Sequence, residues 1–119
     1  MRRKDMPVSW TEKRRSPRIS IKVPLRYQIR GRPEFSSAIS GDMSIGGLGF
    51  LNDEFIAPNN WLNIEINLLP EVISTTARVI RSDSLPRSDK YRLGLEFSGM
   101  DYRQKRFLTD YINQRRSSS

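Results

Sequence analysis

Residues 19–29, ISIKVPLRYQI, alternate between apolar and polar side chains over their whole length. A period of two residues is typical of a β-strand that buries one face. Pro24 has no backbone N–H, so we expect this strand to lie at a sheet edge or to be bulged near that residue. The turn residues Gly31-Arg32-Pro33 end it.

The rest of the chain continues in short segments of the same kind. After Ser98-Gly99 the period becomes helical, with Asp101 at the position of a helix N-cap and Gln104 three residues later. The pattern therefore predicts an all-β protein, a small antiparallel barrel or sandwich, with a C-terminal α-helix. The five further strands are predicted at 35–41, 48–51, 62–68, 72–82 and 91–97, and the apolar face of the helix at Phe107, Leu108, Tyr111 and Ile112.

Composition limits the possible functions. The net charge is +8, and residues 1–18 hold seven Lys/Arg against two acidic residues, so most of the positive charge is in this segment. Such a segment favours an anionic partner. The chain contains no Cys and no His, which removes disulfides, thiolate chemistry and the commonest general base. We therefore expect a binding protein, not an enzyme, with no metal site and no cofactor.

No apolar run is long enough to span a bilayer, and the N-terminus lacks the apolar core of a secretion signal. A cytoplasmic protein is expected. Residues 1–12 are interpreted as a flexible basic tail and residues 13–116 as one domain.

Two short motifs contain the residue types that a guanine nucleotide requires. Arg14-Arg15-Ser16-Pro17-Arg18 places three guanidinium groups on a segment stiffened by proline. Asp42-Met43-Ser44-Ile45-Gly46-Gly47 supplies a carboxylate, a hydroxyl and a Gly-Gly turn that permits positive φ. Arginine forks suit phosphate and the guanine edge, and a carboxylate can accept from guanine N–H groups.

The spacings Arg14-x-x-x-Arg18 and Asp42-x-Ser44-x-x-Gly47 resemble the two signature motifs of PilZ domains, bacterial receptors for cyclic di-GMP. Residues 91–97, YRLGLEF, resemble the last barrel strand of that family. The resemblance implies a six-stranded split β-barrel with a C-terminal helix. It also implies a cyclic di-GMP site at Arg14, Arg15, Arg18, Asp42, Ser44 and Gly47, with Lys13 at a position that influences whether one or two ligands bind.

The same resemblance implies a mechanism in which the N-terminal arm changes conformation around the ligand and signals to a downstream protein that the sequence does not identify. Two alternatives remain open at this stage. One is a basic nucleic-acid-binding β-barrel, which the small net charge beyond residue 18 makes the less favoured reading. The other is a PilZ-like adaptor that has lost nucleotide binding. The strand cations Arg78, Arg81 and Arg92 are candidates for the ligand surface, but exposed strand cations usually serve only as solvated edge protection, so none of the three is assigned to the site.

Overall fold

The structure is a computed structural model that describes residues 18–117, with the side chain of Ser117 left undescribed. The predicted tail at residues 1–12 lies outside this range. Seven strands and one helix are present in the described part of the chain. They are β1 (Ile19–Ser20), β2 (Pro24–Ile29), β3 (Ser36–Met43), β4 (Gly47–Asn52), β5 (Trp61–Asn67), β6 (Val72–Ser84), β7 (Tyr91–Ser98) and α1 (Tyr102–Ser117).

Six of these strands close into an antiparallel barrel. Their order is β3-β2-β5-β6-β7-β4, and pairing of β4 with β3 completes the ring. β1 is an additional short strand on β3. The predicted six-stranded antiparallel barrel with a C-terminal helix is confirmed, and closure leaves the barrel strands without a free edge.

The strand predicted over residues 19–29 is interrupted just before Pro24, in agreement with the predicted bulge. The segment forms two strands on the same side of β3, with Ser20 opposite Asp42 and Pro24 opposite Ile39. Three residues, 21–23, therefore lie opposite two, Ser40 and Gly41. The Ser40 side chain satisfies the interrupted backbone, because its hydroxyl donates to the Ile21 carbonyl and accepts from the Val23 amide at 3.0 Å. β2 lies between β3 and β5, so Pro24 marks an irregularity inside the barrel and not a sheet edge.

The core fills the barrel with the alternate apolar residues of every long strand. β5 shows this most regularly, since Leu62, Ile64 and Ile66 are buried and the residues between them are partly exposed. Burial of a branched aliphatic side chain of this size contributes about 1.5–3 kcal/mol. This strict alternation is what keeps the strands in register.

The helix begins as predicted from the sequence. The Asp101 carboxylate accepts a hydrogen bond of 2.8 Å from the Gln104 amide, which is the N-cap interaction. The buried Gln104 Oε1 has no hydrogen-bond partner within the described residues, so the reciprocal half of a capping box is not formed. Leu108 and Ile112 are fully buried and join the core. Within residues 18–117, no helix is long and apolar enough to cross a membrane.

Candidate functional site

Arg18 of the first sequence motif meets Asp42 and Ser44 of the second on the outside of the barrel. The Arg18 guanidinium donates from Nη2 to Asp42 Oδ1 at 3.2 Å and from Nη1 to Ser44 Oγ at 3.4 Å. The Arg18 and Asp42 side chains are each 47% exposed. Pairing of β1 with the end of β3 brings them together, because Ser20 lies opposite Asp42. A half-exposed ion pair of this kind contributes little to stability, and its groups remain accessible to a ligand.

Ser44 lies beneath this ion pair in the turn between β3 and β4. It is 2% exposed, and its hydroxyl accepts from the Gly46 amide at 3.2 Å. The Ser44 amide donates to the Gly47 carbonyl at 2.8 Å. Ser44 therefore fixes the turn and one end of the Arg18 guanidinium.

Gly47 is required at the start of β4 because no side chain fits there. A Cβ atom at this position would lie 1.9 Å from the Leu95 carbonyl oxygen of β7. The freedom of Gly46 and Gly47 to adopt a positive φ is not used, because among the described glycines only Gly31 and Gly99 have one. Close backbone approach, and not backbone conformation, explains the glycine.

A groove of about 630 Å³ extends from Arg18 and Asp42 across the outer face of the barrel. Its course follows one row of paired residues. Asp42 in β3 lies opposite Gly49 in β4, Gly49 opposite Gly94 in β7, and Gly94 opposite Arg81 in β6. The two glycines leave the middle of the row without side chains, and this forms the floor of the groove.

Two β-bulges border the groove, one at each side. In β3, Gly41 is the extra residue between the pairs Ser40–Phe50 and Asp42–Gly49. In β6, Ile80 is the extra residue between the pairs Val79–Leu95 and Arg81–Gly94. Because of the second bulge, Ile80 and Arg81 are consecutive exposed residues, and both line the groove. Bulges redirect side chains in this way and are common beside functional sites.

The charges of the groove are mostly positive. Lys22, Arg81 and Arg92 line it together with Arg18, whereas Asp42 is its one acidic lining residue in the described part of the chain. Clustered cations of this kind produce a positive potential that attracts an anionic ligand.

Sequence reasoning left three of these groove residues out of the site. No sequence motif selects Lys22, and Arg81 and Arg92 are left unassigned by the sequence, whereas both lie within the closed sheet and line the groove. Arg78, the third residue of that set, does not line the groove and pairs with Glu96 at 3.0 Å. Arg81 faces outward beside Gly94 only because of the bulge at Ile80, and the sequence pattern alone does not indicate that bulge.

The remaining residues assigned to the site from sequence are Lys13, Arg14 and Arg15. They lie outside the described residues, as does the first part of the Arg14-x-x-x-Arg18 motif. The described chain begins at Arg18, at one end of the groove. A groove with a glycine floor, arginine forks and one carboxylate can accept a flat base together with its phosphates.

The comparisons with known proteins agree with this fold. The family model for the PilZ domain matches residues 12–114. The chain therefore belongs to the PilZ domain family. No protein with a curated description matches it in sequence.

Solved structures with the same fold include the Bacillus subtilis inhibitor of motility MotI (DgrA), with a TM-score of 0.77 and 22% identity over 88% of this chain and 52% of MotI. Escherichia coli YcgR in complex with c-di-GMP has a TM-score of 0.74 and 22% identity over 89% of this chain and 47% of YcgR. The separate YcgR PilZ domain with c-di-GMP has a TM-score of 0.66 and 19% identity, over 89% of this chain and 94% of that domain. The chain thus spans about half the length of MotI and of YcgR.

Proposed function

We propose that this chain is a cyclic di-GMP receptor module. The observation that supports this most strongly is the meeting of Arg18, Asp42 and Ser44 at the end of a cationic groove with a glycine floor. Membership of the PilZ family and the likeness to YcgR, whose structures contain c-di-GMP, agree with it. The ligand carries two phosphates and two guanines, so it can use several arginine forks and one carboxylate at once.

The proposed ligand contacts are those predicted from the two motifs. Arg14, Arg15 and Arg18 would hold phosphates and stack on the purine faces, and Asp42 would accept from a guanine edge. Ser44 and Gly47 would contribute mainly by positioning, because both are buried and engaged with the protein backbone. Lys13 retains a positive charge without the planar fork of arginine, and we propose that it affects whether one or two ligands bind.

The Arg18–Asp42 ion pair suggests how ligand binding would be sensed. Both groups that would contact the ligand are paired with each other at 3.2 Å. A ligand must therefore exchange this contact for its own, and Arg18 follows directly after the segment that contains Arg14 and Arg15. We propose that this exchange changes the conformation of the N-terminal arm and thereby the surface offered to a downstream protein.

The wider assignments belong to the same proposal. We propose residues 13–116 as the binding domain and residues 1–12 as a basic tail, in a cytoplasmic protein that binds its ligand and does not transform it. The downstream partner is a protein of unknown identity. MotI is described as an inhibitor of motility and MrkH as a c-di-GMP-dependent transcription regulatory factor, so this fold occurs in proteins with different outputs.

Calorimetric titration of the full chain with cyclic di-GMP tests the proposal. Saturable heat is expected for the wild type and is expected to disappear in Arg18→Ala, with no binding of GTP under the same conditions. Arg78→Ala is the matched control, because Arg78 is also an exposed, ion-paired arginine on the barrel but does not line the groove. Absence of heat from a folded wild type would contradict the proposal.

A further inference from the structure

We propose that Arg81 and Arg92 form a second anion-binding side of the groove, opposite Arg18, which holds a phosphate of the ligand and favours a dinucleotide over a mononucleotide. This inference rests on the proposed function and extends it to residues outside both sequence motifs. It concerns β6 and β7, whereas the motif residues belong to the segment up to Arg18, to the end of β3, to the turn that follows and to the start of β4.

The bulge in β6 is the first argument. Val79 is fully buried, so strict alternation would direct Ile80 outward and Arg81 into the core. The extra residue at position 80 leaves both exposed instead, and Arg81 lies opposite Gly94, where no side chain separates it from the groove floor. A Cβ atom on Gly94 would contact the Arg81 Cβ at 3.6 Å, so the glycine keeps the space beside Arg81 open.

The distance across the sheet is the second argument. Two strands, β4 and β7, lie between Asp42 in β3 and Arg81 in β6 along this row. At the usual spacing between strands, the two positions are about 14 Å apart. A mononucleotide placed against Arg18 and Asp42 would leave the far side empty, whereas a ligand with two phosphates can reach cations on both sides.

The balance of charge is the third argument. Arg18 is paired with Asp42 at 3.2 Å, and Arg81 with Asp83 at 3.4 Å. Lys22 and Arg92, in contrast, have no ion-pair partner among residues 18–117, although both line the groove. Two positive charges are thus left without a carboxylate, which suits a ligand that carries two negative charges.

Arg78 shows that this arrangement is not a general property of β6. It lies three residues before Arg81 and its side chain is also partly exposed, at 41% against 66% for Arg81, but it pairs with Glu96 at 3.0 Å on a different row of the sheet. Arg78→Ala therefore removes a strand arginine and an ion pair without changing the groove. It is the matched control for Arg81→Ala and Arg92→Ala.

The test is a titration of the full-length variants with cyclic di-GMP, together with competition by GMP. Arg81→Ala and Arg92→Ala are each expected to weaken cyclic di-GMP binding by about tenfold or more, the loss typical of a hydrogen bond to a charged group. Arg78→Ala is expected to stay within about twofold of the wild type, since exposed pairs contribute little. In Arg81→Ala and Arg92→Ala, binding of GMP is expected to change much less than binding of cyclic di-GMP, and in Arg78→Ala neither is expected to change appreciably.

The outcomes separate this inference from the proposed function. Loss of binding in Arg18→Ala, with wild-type affinity in both Arg81→Ala and Arg92→Ala, would overturn the inference and leave the receptor assignment intact. Equal weakening of GMP and cyclic di-GMP would overturn the claim of selectivity. A wild type that does not bind cyclic di-GMP would overturn both. Melting temperatures of the variants exclude unfolding as the cause of lost binding. Arg81→Lys and Arg92→Lys are milder substitutions, because each retains the positive charge and removes only the planar guanidinium fork.

Discussion

β5 and β6 are neighbouring, paired strands of the barrel, and they differ in the regularity of their alternation. β5 alternates without interruption and contributes its apolar residues to the core and no residue to the groove. β6 alternates up to Val79 and then shifts register by one residue, which brings Ile80 and Arg81 to the groove. The same contrast separates β2, which pairs with β3 in continuous register, from residues 21–23, which interrupt the pairing with β3 between β1 and β2.

Regular alternation therefore builds the barrel, and departures from it build the candidate site. Gly41, Ile80 and the break at residues 21–23 each add one residue relative to a neighbouring strand. All three irregularities border the groove, and Gly41, Ile80 and Lys22 line it. Substitutions in the regular part should affect stability, and those at the irregularities should affect binding.

The largest effect on stability is expected for Ile64→Ala in β5. Ile64 is 1% exposed, and its truncation should lower the free energy of unfolding by about 3 kcal/mol because a cavity remains in the core. Ile80→Ala is the matched control, because Ile80 is 51% exposed and should cost less than about 0.5 kcal/mol. Urea denaturation of both variants measures this difference, and equal losses would contradict the assignment of roles to the two strands.

A smaller loss of stability is expected for Gly47→Ala. The added Cβ atom would meet the Leu95 carbonyl oxygen at 1.9 Å, so β4 and β7 must separate locally, at a cost of about 2 kcal/mol. Gly46→Ala serves as the control, since a Cβ there meets nothing within 4 Å. Denaturation midpoints that coincide for the two variants would show that Gly47 is not needed for strand pairing.

Gly49→Ala is expected to change binding more than stability. Its Cβ atom would lie 2.8 Å from Asp42 Oδ1, the atom that accepts from Arg18, so the carboxylate must move. We expect about a tenfold loss of affinity for cyclic di-GMP, the equivalent of about 1.4 kcal/mol. Calorimetry with Gly46→Ala as reference measures it, and unchanged affinity would mean that the observed position of Asp42 is not used by the ligand.

The smallest effect concerns the stability contribution of the Arg18–Asp42 ion pair. Because both side chains are 47% exposed, Arg18→Ala should reduce the free energy of unfolding by less than about 1 kcal/mol. The same variant should lose ligand binding, so the two measurements separate a binding residue from a structural one. A loss of several kcal/mol would instead indicate that Arg18 maintains the fold.

Much of the fold could be predicted because its main determinants are local. The alternation in Leu62, Ile64 and Ile66 specifies which face of β5 is buried, and Asp101 specifies where the helix begins. The convergence of Arg18, Asp42 and Ser44 could be predicted from the resemblance of two motifs to a known family. Nothing local to either motif states that residues 24 and 26 positions apart are in contact.

The groove could not be predicted because it depends on strand pairing. The apolar alternation of residues 19–29 persists through the break, so the pattern contains no trace of it apart from Pro24. Arg81 occupies a position that alternation alone assigns to the core, and only the pairing of Val79 with Leu95 and of Arg81 with Gly94 reveals the bulge. The glycine floor likewise requires knowing that Gly49 and Gly94 are opposite each other.

The most direct test of this account is a ¹H–¹⁵N NMR titration of the full chain with cyclic di-GMP. The account predicts that the largest amide shifts within residues 18–117 occur along the groove, at Gly41, Gly49, Ile80 and Gly94, while the amides of Leu62, Ile64 and Ile66 in β5 change little. Shifts concentrated instead on the separate surface around Ile39 and Val72, or no shifts at saturating ligand, would contradict it.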